Sequence, residues 1–453
     1  MFGPEETLQG EGYNPYTPSI DGRLTQRLAP EPILLILAGV FLFINFTALT
    51  LLRPETWTTN LLSFGVWVLC AVIGHRMLNR LLPGRDAFLF PVSMLLCGWG
   101  LVIIDRLLPR FADRQTLWLI LSTVSMLGVI ALPQTLRWLR GYRYLWLVFG
   151  LALLVSTIIF GRNPSGQIGA PQLWLGIGDV FFQPSELLKI ILVAFLASYL
   201  AEQAPSLRAE GLMSDGQRLS YSPRVLGPMI LMWGLSVVIL VWQRDLGTAV
   251  LFFAVFLVLL YVASGTWWIA VGGAALILVA GFAAYQLYPS VVGLRIDIWL
   301  NPWPEADGRA YQIVQSLQAF AAGGVFGEGI GQGLPVFIPV VHSDFIFAAL
   351  AEEYGLLGVF VVLVCIAVIA GRGLRIASLQ KGAPFKALLA IGLSTLLTVQ
   401  SLMIMGGVIR LLPLTGVTLP FMSYGGSSLL TSFVIIGLLL RLSAEEDERA
   451  VLT

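Results

Sequence analysis

Long apolar runs separated by short polar connections dominate this chain from residue 33 to residue 441. A helix crossing the hydrocarbon core of a bilayer needs roughly 20 mostly apolar residues. Twelve stretches approach or meet that length, at about 33–52, 60–78, 87–105, 116–133, 144–160, 186–201, 225–242, 246–264, 267–286, 344–370, 385–405 and 427–441. The pattern predicts an all-α polytopic membrane protein with about 12 transmembrane helices. One connection breaks the rhythm: Gln286 to Ser343, a loop of about 58 residues, carries charges, aromatics and helix breakers. A membrane protein that keeps so large a polar loop at its surface is expected to use it.

Within that loop, Arg309 to Ala322 reads RAYQIVQSLQAFAA. Ile313, Val314, Leu317 and Phe320 share one helical face, and Gln312, Gln315 and Gln318 another. Fourteen residues are too few to span, so a helix lying at the interface or dipping into the protein is expected. Asp307 stands where an N-cap carboxylate would accept free backbone N–H groups. Glu305 follows Asn-Pro-Trp-Pro, a run of restricted backbone freedom that holds the next side chain still. A carboxylate so held can serve as a general base; a solvated loop acid is the plain alternative.

An even number of spans puts both termini on one side, and positive charge chooses the side. With both termini cytoplasmic, the inner loops and tails hold 17 of the 27 Lys and Arg residues, nine lie outside, and Lys189 is within a span. The large loop is then extracytoplasmic, where no nucleoside triphosphate is expected. Composition agrees with a bilayer protein: 57% of residues are hydrophobic and 12% charged, against roughly 25% charged in soluble domains. A net charge of +1 with no basic stripe excludes a nucleic-acid footprint. Cys70, Cys97 and Cys365 all lie in apolar runs, so no disulfide framework is expected, and two histidines are too few for an obvious metal cluster. Residues 1–32 are expected to form a disordered cytoplasmic tail without a signal peptide, 33–86 two additional helices, 87–442 the core, and 443–453 a cytoplasmic C-terminal tail. No internal repeat or matched pair of interrupted helices marks the chain as an inverted-repeat transporter.

Polar helix starts recur on the outer side. Gln183-Pro184-Ser185-Glu186 opens one span, with Lys189 three residues after Glu186, close enough to pair. Gln243-Arg244-Asp245 opens another, and His342-Ser343-Asp344 a third, in which Asp344, Ala348, Glu352 and Gly355 make a polar, small-residue stripe. Asp344 and Ser343 can cap that helix, whereas Glu352 and Glu353 fall deeper, where acids normally face the interior or a wet cavity. Ser427 can cap the last span after the Gly425-Gly426 turn. GGVFGEGIGQG (323–333) lacks the ending of a phosphate loop and is expected to be a close-packing turn. Ion pairs that merely orient helices are the plain reading of these charges. Several polar starts at one depth are also what a lipid-linked polar substrate needs.

The segments FFQPSELLKI, QRDLGTA, NPWPEADGRAYQIVQS, HSDFIFAALAEEYGLLG and LPLTGVTLPFMSYGGSSL occur in the order found in the SEDS family (shape, elongation, division and sporulation), which this chain resembles over about 87–442. Their wording is most similar to the actinobacterial RodA branch. The resemblance implies a GT-C-like helical bundle with a ten-span core, leaving 33–86 as two extra helices. It implies a peptidoglycan glycosyltransferase that polymerises lipid II onto a growing lipid-linked glycan at the outer face of the cytoplasmic membrane. Undecaprenyl diphosphate would be released and a class B penicillin-binding protein would be the partner, in cell elongation or division. The family's catalytic aspartate, usually in an Asp-Pro, falls on Glu305, with Ala306 in place of the proline; a two-residue shift selects Asp307. The resemblance makes this carboxylate the general base of an inverting transfer. An arginine common before Trp174 is replaced by Gln172, so Lys189, Arg295 or Arg309 must supply positive charge for the diphosphate. Gln183, Glu186, Asp245, Gln312, His342, Asp344, Glu352 and Ser427 complete the candidate substrate-binding set. No cofactor is required by the sequence, and a divalent cation (Mg or Mn) would come with the substrate. Two other readings stand beside this one: a lipid II flippase using Lys189, Asp245 and Glu352, and a non-catalytic scaffold for the penicillin-binding protein.

Overall fold

The structure, a computed structural model, describes residues 30–163, 172–178, 180–212, 223–287, 292–380 and 382–451. Most of the expected N-terminal tail therefore lies outside the described residues. Fifteen helices follow one another: α1 (Pro30–Leu52), α2 (Trp57–Leu81), α3 (Leu89–Leu107), α4 (Pro109–Ala131), α5 (Thr135–Gly141), α6 (Arg143–Phe160), α7 (Pro184–Leu212), α8 (Pro223–Trp242), α9 (Leu246–Ser264), α10 (Trp267–Leu287), α11 (Leu294–Leu300), α12 (Tyr311–Gly323), α13 (Ile346–Leu379), α14 (Pro384–Val408) and α15 (Gly426–Val451). Each of the twelve apolar runs is a helix. Among the described residues ten are long and apolar enough to cross a membrane, and α8 and α10 contribute the shorter apolar segments Trp233–Trp242 and Trp267–Ala283. The helix α15 continues through most of the expected C-terminal tail, to Val451. One antiparallel hairpin, β1 (Leu175–Ile177) with β2 (Val180–Phe182), departs from the all-helical expectation and leads into α7.

In lipid there is no water to satisfy a freed backbone, so the spans are helical and close contact is made through small residues. The helices α3, α7 and α15 are buried over most of their lengths, while α1, α2 and α6 turn apolar faces outward. A Cβ on Gly100 would lie 2.4 Å from the carbonyl oxygen of Met422, so glycine there lets α3 meet the connection before α15.

The helix α13 is interrupted. Gly355 has φ +64° and ψ −164°, a conformation that side chains other than hydrogen resist. The backbone groups released by the break are taken up by the glycine-rich segment after α12. Glu328 N–H donates to Glu352 O (2.9 Å) and Gly329 N–H to Glu353 O (3.1 Å), while Leu356 and Leu357 N–H donate to Gly324 O and Val325 O (2.9 and 3.2 Å). The non-helical backbone at the buried Gly355 thus keeps its hydrogen bonds through the strap. A Cβ on Gly323 would sit 2.0 Å from Ala351 O and one on Gly327 2.3 Å from Glu353 O. The expected close-packing turn is therefore a docked strap.

Candidate active site

The Glu305 region is shaped by a single turn of 3-10 helix, Trp303–Glu305, after Pro302. Gly308 and Ala310 N–H both return to Glu305 O (3.0 and 3.1 Å), and Tyr311 N–H to Gly308 O (3.2 Å). These backbone closures delay α12 to Tyr311, with Ala310 at its N-cap and no side-chain cap bond. Asp307 is therefore not the cap that its spacing suggested; it is exposed on the turn. Glu305 is held by Arg309, one helical turn on, whose Nη2 lies 2.7 Å from Oε1 and whose Nε lies 3.3 Å from Oε2. The hydrogen bond and charge of the Arg309 guanidinium hold the Glu305 carboxyl below the ordinary carboxylate range. Both side chains remain open to solvent, Arg309 at 62% exposure.

The helix α12 follows with Ile313, Val314, Ser316 and Ala319 buried. Phe320 meets Phe347 of α13 edge-on at 5.6 Å, and Ser316 Oγ donates to Val408 O at the end of α14 (2.9 Å). It therefore dips into the protein instead of lying along its surface. Gln312 is half-buried in its first turn.

The polar starts of α7, α9 and α15 are tied together, and Arg295 relates that of α9 to that of α13. Asp245 caps α9, its Oδ1 accepting from Thr248 N–H (3.2 Å), and Ser185 Oγ donates to its Oδ2 (3.4 Å). Gln183 Nε2 donates to Ser185 Oγ (3.0 Å), and Gln183 N–H to Ser427 Oγ (3.0 Å), so Ser427 ties α15 to α7. Arg295 on α11 lies where both Asp245 and Asp344 act on its charge. Among the described residues it makes no ion pair within 4.0 Å. Burial lowers the Arg295 pKa and raises those of Asp245 and Asp344, so all three are less well solvated than surface charges. Ser343 Oγ donates to Asp344 Oδ1 (3.0 Å). The N-cap of α13 is Phe345 without a side-chain bond, so neither Ser343 nor Asp344 caps it. His342 meets Phe111 at a tilt (4.7 Å) and Tyr424 edge-on (5.6 Å), and burial lowers its pKa.

Two candidates have internal work. Lys189 is inside the bundle at 3% exposure, with Nζ 2.7 Å from Glu186 Oε1 and donating to Gln400 Oε1 (3.0 Å). Glu186 Oε2 also accepts from Thr431 Oγ1 (3.1 Å). Lys189 thus braces α7, α14 and α15, and its charge also acts on Asp245 at the start of α9. Glu352 faces the interior, as expected, and its Oε1 accepts from Leu334 N–H (2.6 Å), pinning the end of the glycine-rich strap. Its neighbour Glu353 pairs with Arg106 (3.0 Å), a partner that sequence spacing could not reveal because α3 and α13 are so far apart along the chain. Among the described residues no three His, Cys, Asp or Glu side chains come together as a metal cage.

The structure supplies a solvent-exposed Glu305–Arg309 pair on the segment before α12, Arg295 under the charges of Asp245 and Asp344, and polar side chains at the starts of α7, α9, α13 and α15. The family model FTSW_RODA_SPOVE, described as "Cell cycle protein", matches residues 89–448. The peptidoglycan glycosyltransferase RodA of Mycobacterium tuberculosis strain H37Rv is 35% identical over 431 residues, covering 93% of this chain and 91% of the relative. Stage V sporulation protein E of Bacillus subtilis is 34% identical over 379 residues, covering 80% and 96%. Among solved structures, a chain from "Structural coordination of polymerization and crosslinking by a peptidoglycan synthase complex" superposes with TM-score 0.66 at 26% identity, covering 80% of this chain and 99% of its own. Thermus thermophilus RodA, at 24% identity and TM-score 0.56, covers 80% and 98% and shares the fold.

Proposed function

This chain belongs to the FtsW, RodA and SpoVE family, and we propose that, like the curated relatives, it is a peptidoglycan glycosyltransferase, extending glycan from lipid II at the outer face of the membrane. It is a polytopic membrane enzyme. The observation that carries the mechanistic reading is the clamped carboxylate of Glu305 on the segment between α11 and α12.

In this reading Glu305 takes the proton from the 4-hydroxyl of an incoming lipid II. That oxygen forms a bond to the anomeric carbon of the growing lipid-linked glycan. The bond from that carbon to the diphosphate breaks, and undecaprenyl diphosphate leaves with the electron pair, inverting the centre. General-base help contributes about 10²–10⁴-fold, and the positioning of two lipid-anchored substrates supplies much of the rest. Arg295 and Arg309 provide positive charge for the leaving diphosphate, and a divalent cation would be carried in by the diphosphate itself. As Arg309 turns to a phosphate it releases Glu305, whose basicity then rises toward that of an ordinary glutamate. The flippase alternative needs free charges at Lys189, Asp245 and Glu352, whereas these are engaged by Glu186, Thr248 N–H and Leu334 N–H.

This coupling has a pH signature. A carboxylate held low by Arg309 is ionised through neutral pH, and activity falls only as pH drops through that depressed value. Arg309→Ala removes the hold, so the acid limb of kcat/KM moves up toward the usual glutamate range, about 4.3, and KM for the donor rises. A pH–rate profile with an unmoved acid limb would remove Arg309 from this role.

The activity itself is tested by reconstituting the full chain in liposomes with lipid II and a class B penicillin-binding protein, the proposed partner. Glycan polymer is expected. No polymer from a folded, partner-bound protein would overturn the enzyme reading.

A further inference from the structure

The two N-terminal helices precede the region that the family model matches, residues 89–448, yet α1 reaches the strap and the break in α13 directly. Tyr354, the residue before Gly355, donates its hydroxyl to Asn45 Oδ1 of α1 at 2.7 Å. Asn45 is fixed in turn, its Nδ2 donating to Phe41 O (2.7 Å). Phe41 meets Trp99 edge-on at 5.0 Å, and Trp99 meets Tyr354 edge-on at 5.0 Å, so an aromatic chain runs from α1 through α3 to the break.

A second tie lies at the outer end of α1. Arg53 Nη1 donates to Arg106 O (3.1 Å). The Arg106 side chain pairs with Glu353 (3.0 Å) and donates to Gly331 O and Gly333 O (3.3 and 3.0 Å). Gly331 N–H donates to Glu353 Oε1 (3.2 Å), and a Cβ on Gly331 would come within 2.7 Å of Leu52 Cδ1. The ends of α1 and α3, the strap and the break in α13 thus form one connected body. That body joins both halves of the candidate site: the strap follows α12, which begins just after Glu305 and Arg309, and α13 begins just after His342 and Asp344.

We propose that α1 is a positioning brace for the catalytic loop, with Asn45 and Tyr354 as its positioning residues; the inference rests on the glycosyltransferase reading above. The brace holds the strap against the broken helix, so that Glu305 and Asp344 keep a fixed relation during turnover. A displacement near 1 Å at a reacting group can cost about 100-fold in rate, so a small slackening of this body is enough to be felt.

The test uses the full chain in liposomes with its penicillin-binding partner and lipid II. Tyr354→Phe keeps the ring and removes only the hydroxyl. It is expected to lower kcat on the order of tenfold with KM little changed, while the lost buried hydrogen bond lowers the thermal midpoint only slightly. Asn45→Ala should do the same, and the double variant should lose no more than either single one. Hydrogen exchange at the amides of Glu328 and Gly329, which bond across the break, should speed up in both variants. The exchange readout needs no activity, so it separates failure of the brace from failure of the enzyme reading. Wild-type exchange at these amides, or a kcat loss that only follows the loss of folded protein, would overturn the proposal.

Discussion

Replacing Lys189 with methionine is expected to lower stability by about 3–5 kcal/mol. Its ammonium lies 2.7 Å from Glu186 and donates to Gln400 (3.0 Å) in the interior of the bundle. Removing one member of a buried pair leaves the other charge without compensation, at a cost of about 3–5 kcal/mol. Typical total stabilities are about 5–15 kcal/mol, so the loss is a large share of the whole. Glu186→Ala should act alike, since it strands the lysine and removes an acceptor from Thr431. Combining Glu186→Gln with Lys189→Met, which removes both charges while keeping much of the volume, should recover most of the loss. Thermal unfolding in detergent, read as the fraction of monodisperse protein, distinguishes these cases. Single variants as stable as wild type would mean that the pair does not hold α7 to α14 and α15.

Much of the fold was legible because lipid imposes a simple rule on sequence. Twelve apolar runs became twelve helices, and the long polar connection became the segment carrying α11, α12 and the strap. What stayed hidden was set by distant partners. Gly355 sits in an apolar run like many other glycines there, and its positive φ is sustained by the strap that begins about 30 residues earlier. Asn45 and Tyr354 are 309 positions apart, so no local spacing announces their bond. Asp307 was misread for a related reason. Capping chemistry was right in kind, but three backbone bonds within residues 305–311 moved the helix start beyond its reach. The candidate site was legible as residue types, through Glu305, Arg309, Asp245 and Asp344. The Lys189–Glu186 pair was legible from its spacing, whereas the contacts of Lys189 with Gln400 and of Glu352 with Leu334 required the packed structure.

Changing Glu305 to glutamine is expected to lower glycan polymerisation by about 10²–10⁴-fold, the usual contribution of a general base. The substitution keeps shape and a hydrogen-bond acceptor for Arg309 but cannot take up the proton. Asp307, exposed on the same turn and absent from the cap of α12, should tolerate asparagine with only a few-fold change. The measurement that tests this account most directly is polymer yield and initial rate from lipid II, with both variants and the wild type reconstituted beside the penicillin-binding partner. Expression and partner binding are to be matched across the three. The account predicts loss in Glu305→Gln alone; polymerisation at the wild-type rate by that variant, or loss in Asp307→Asn instead, would contradict it.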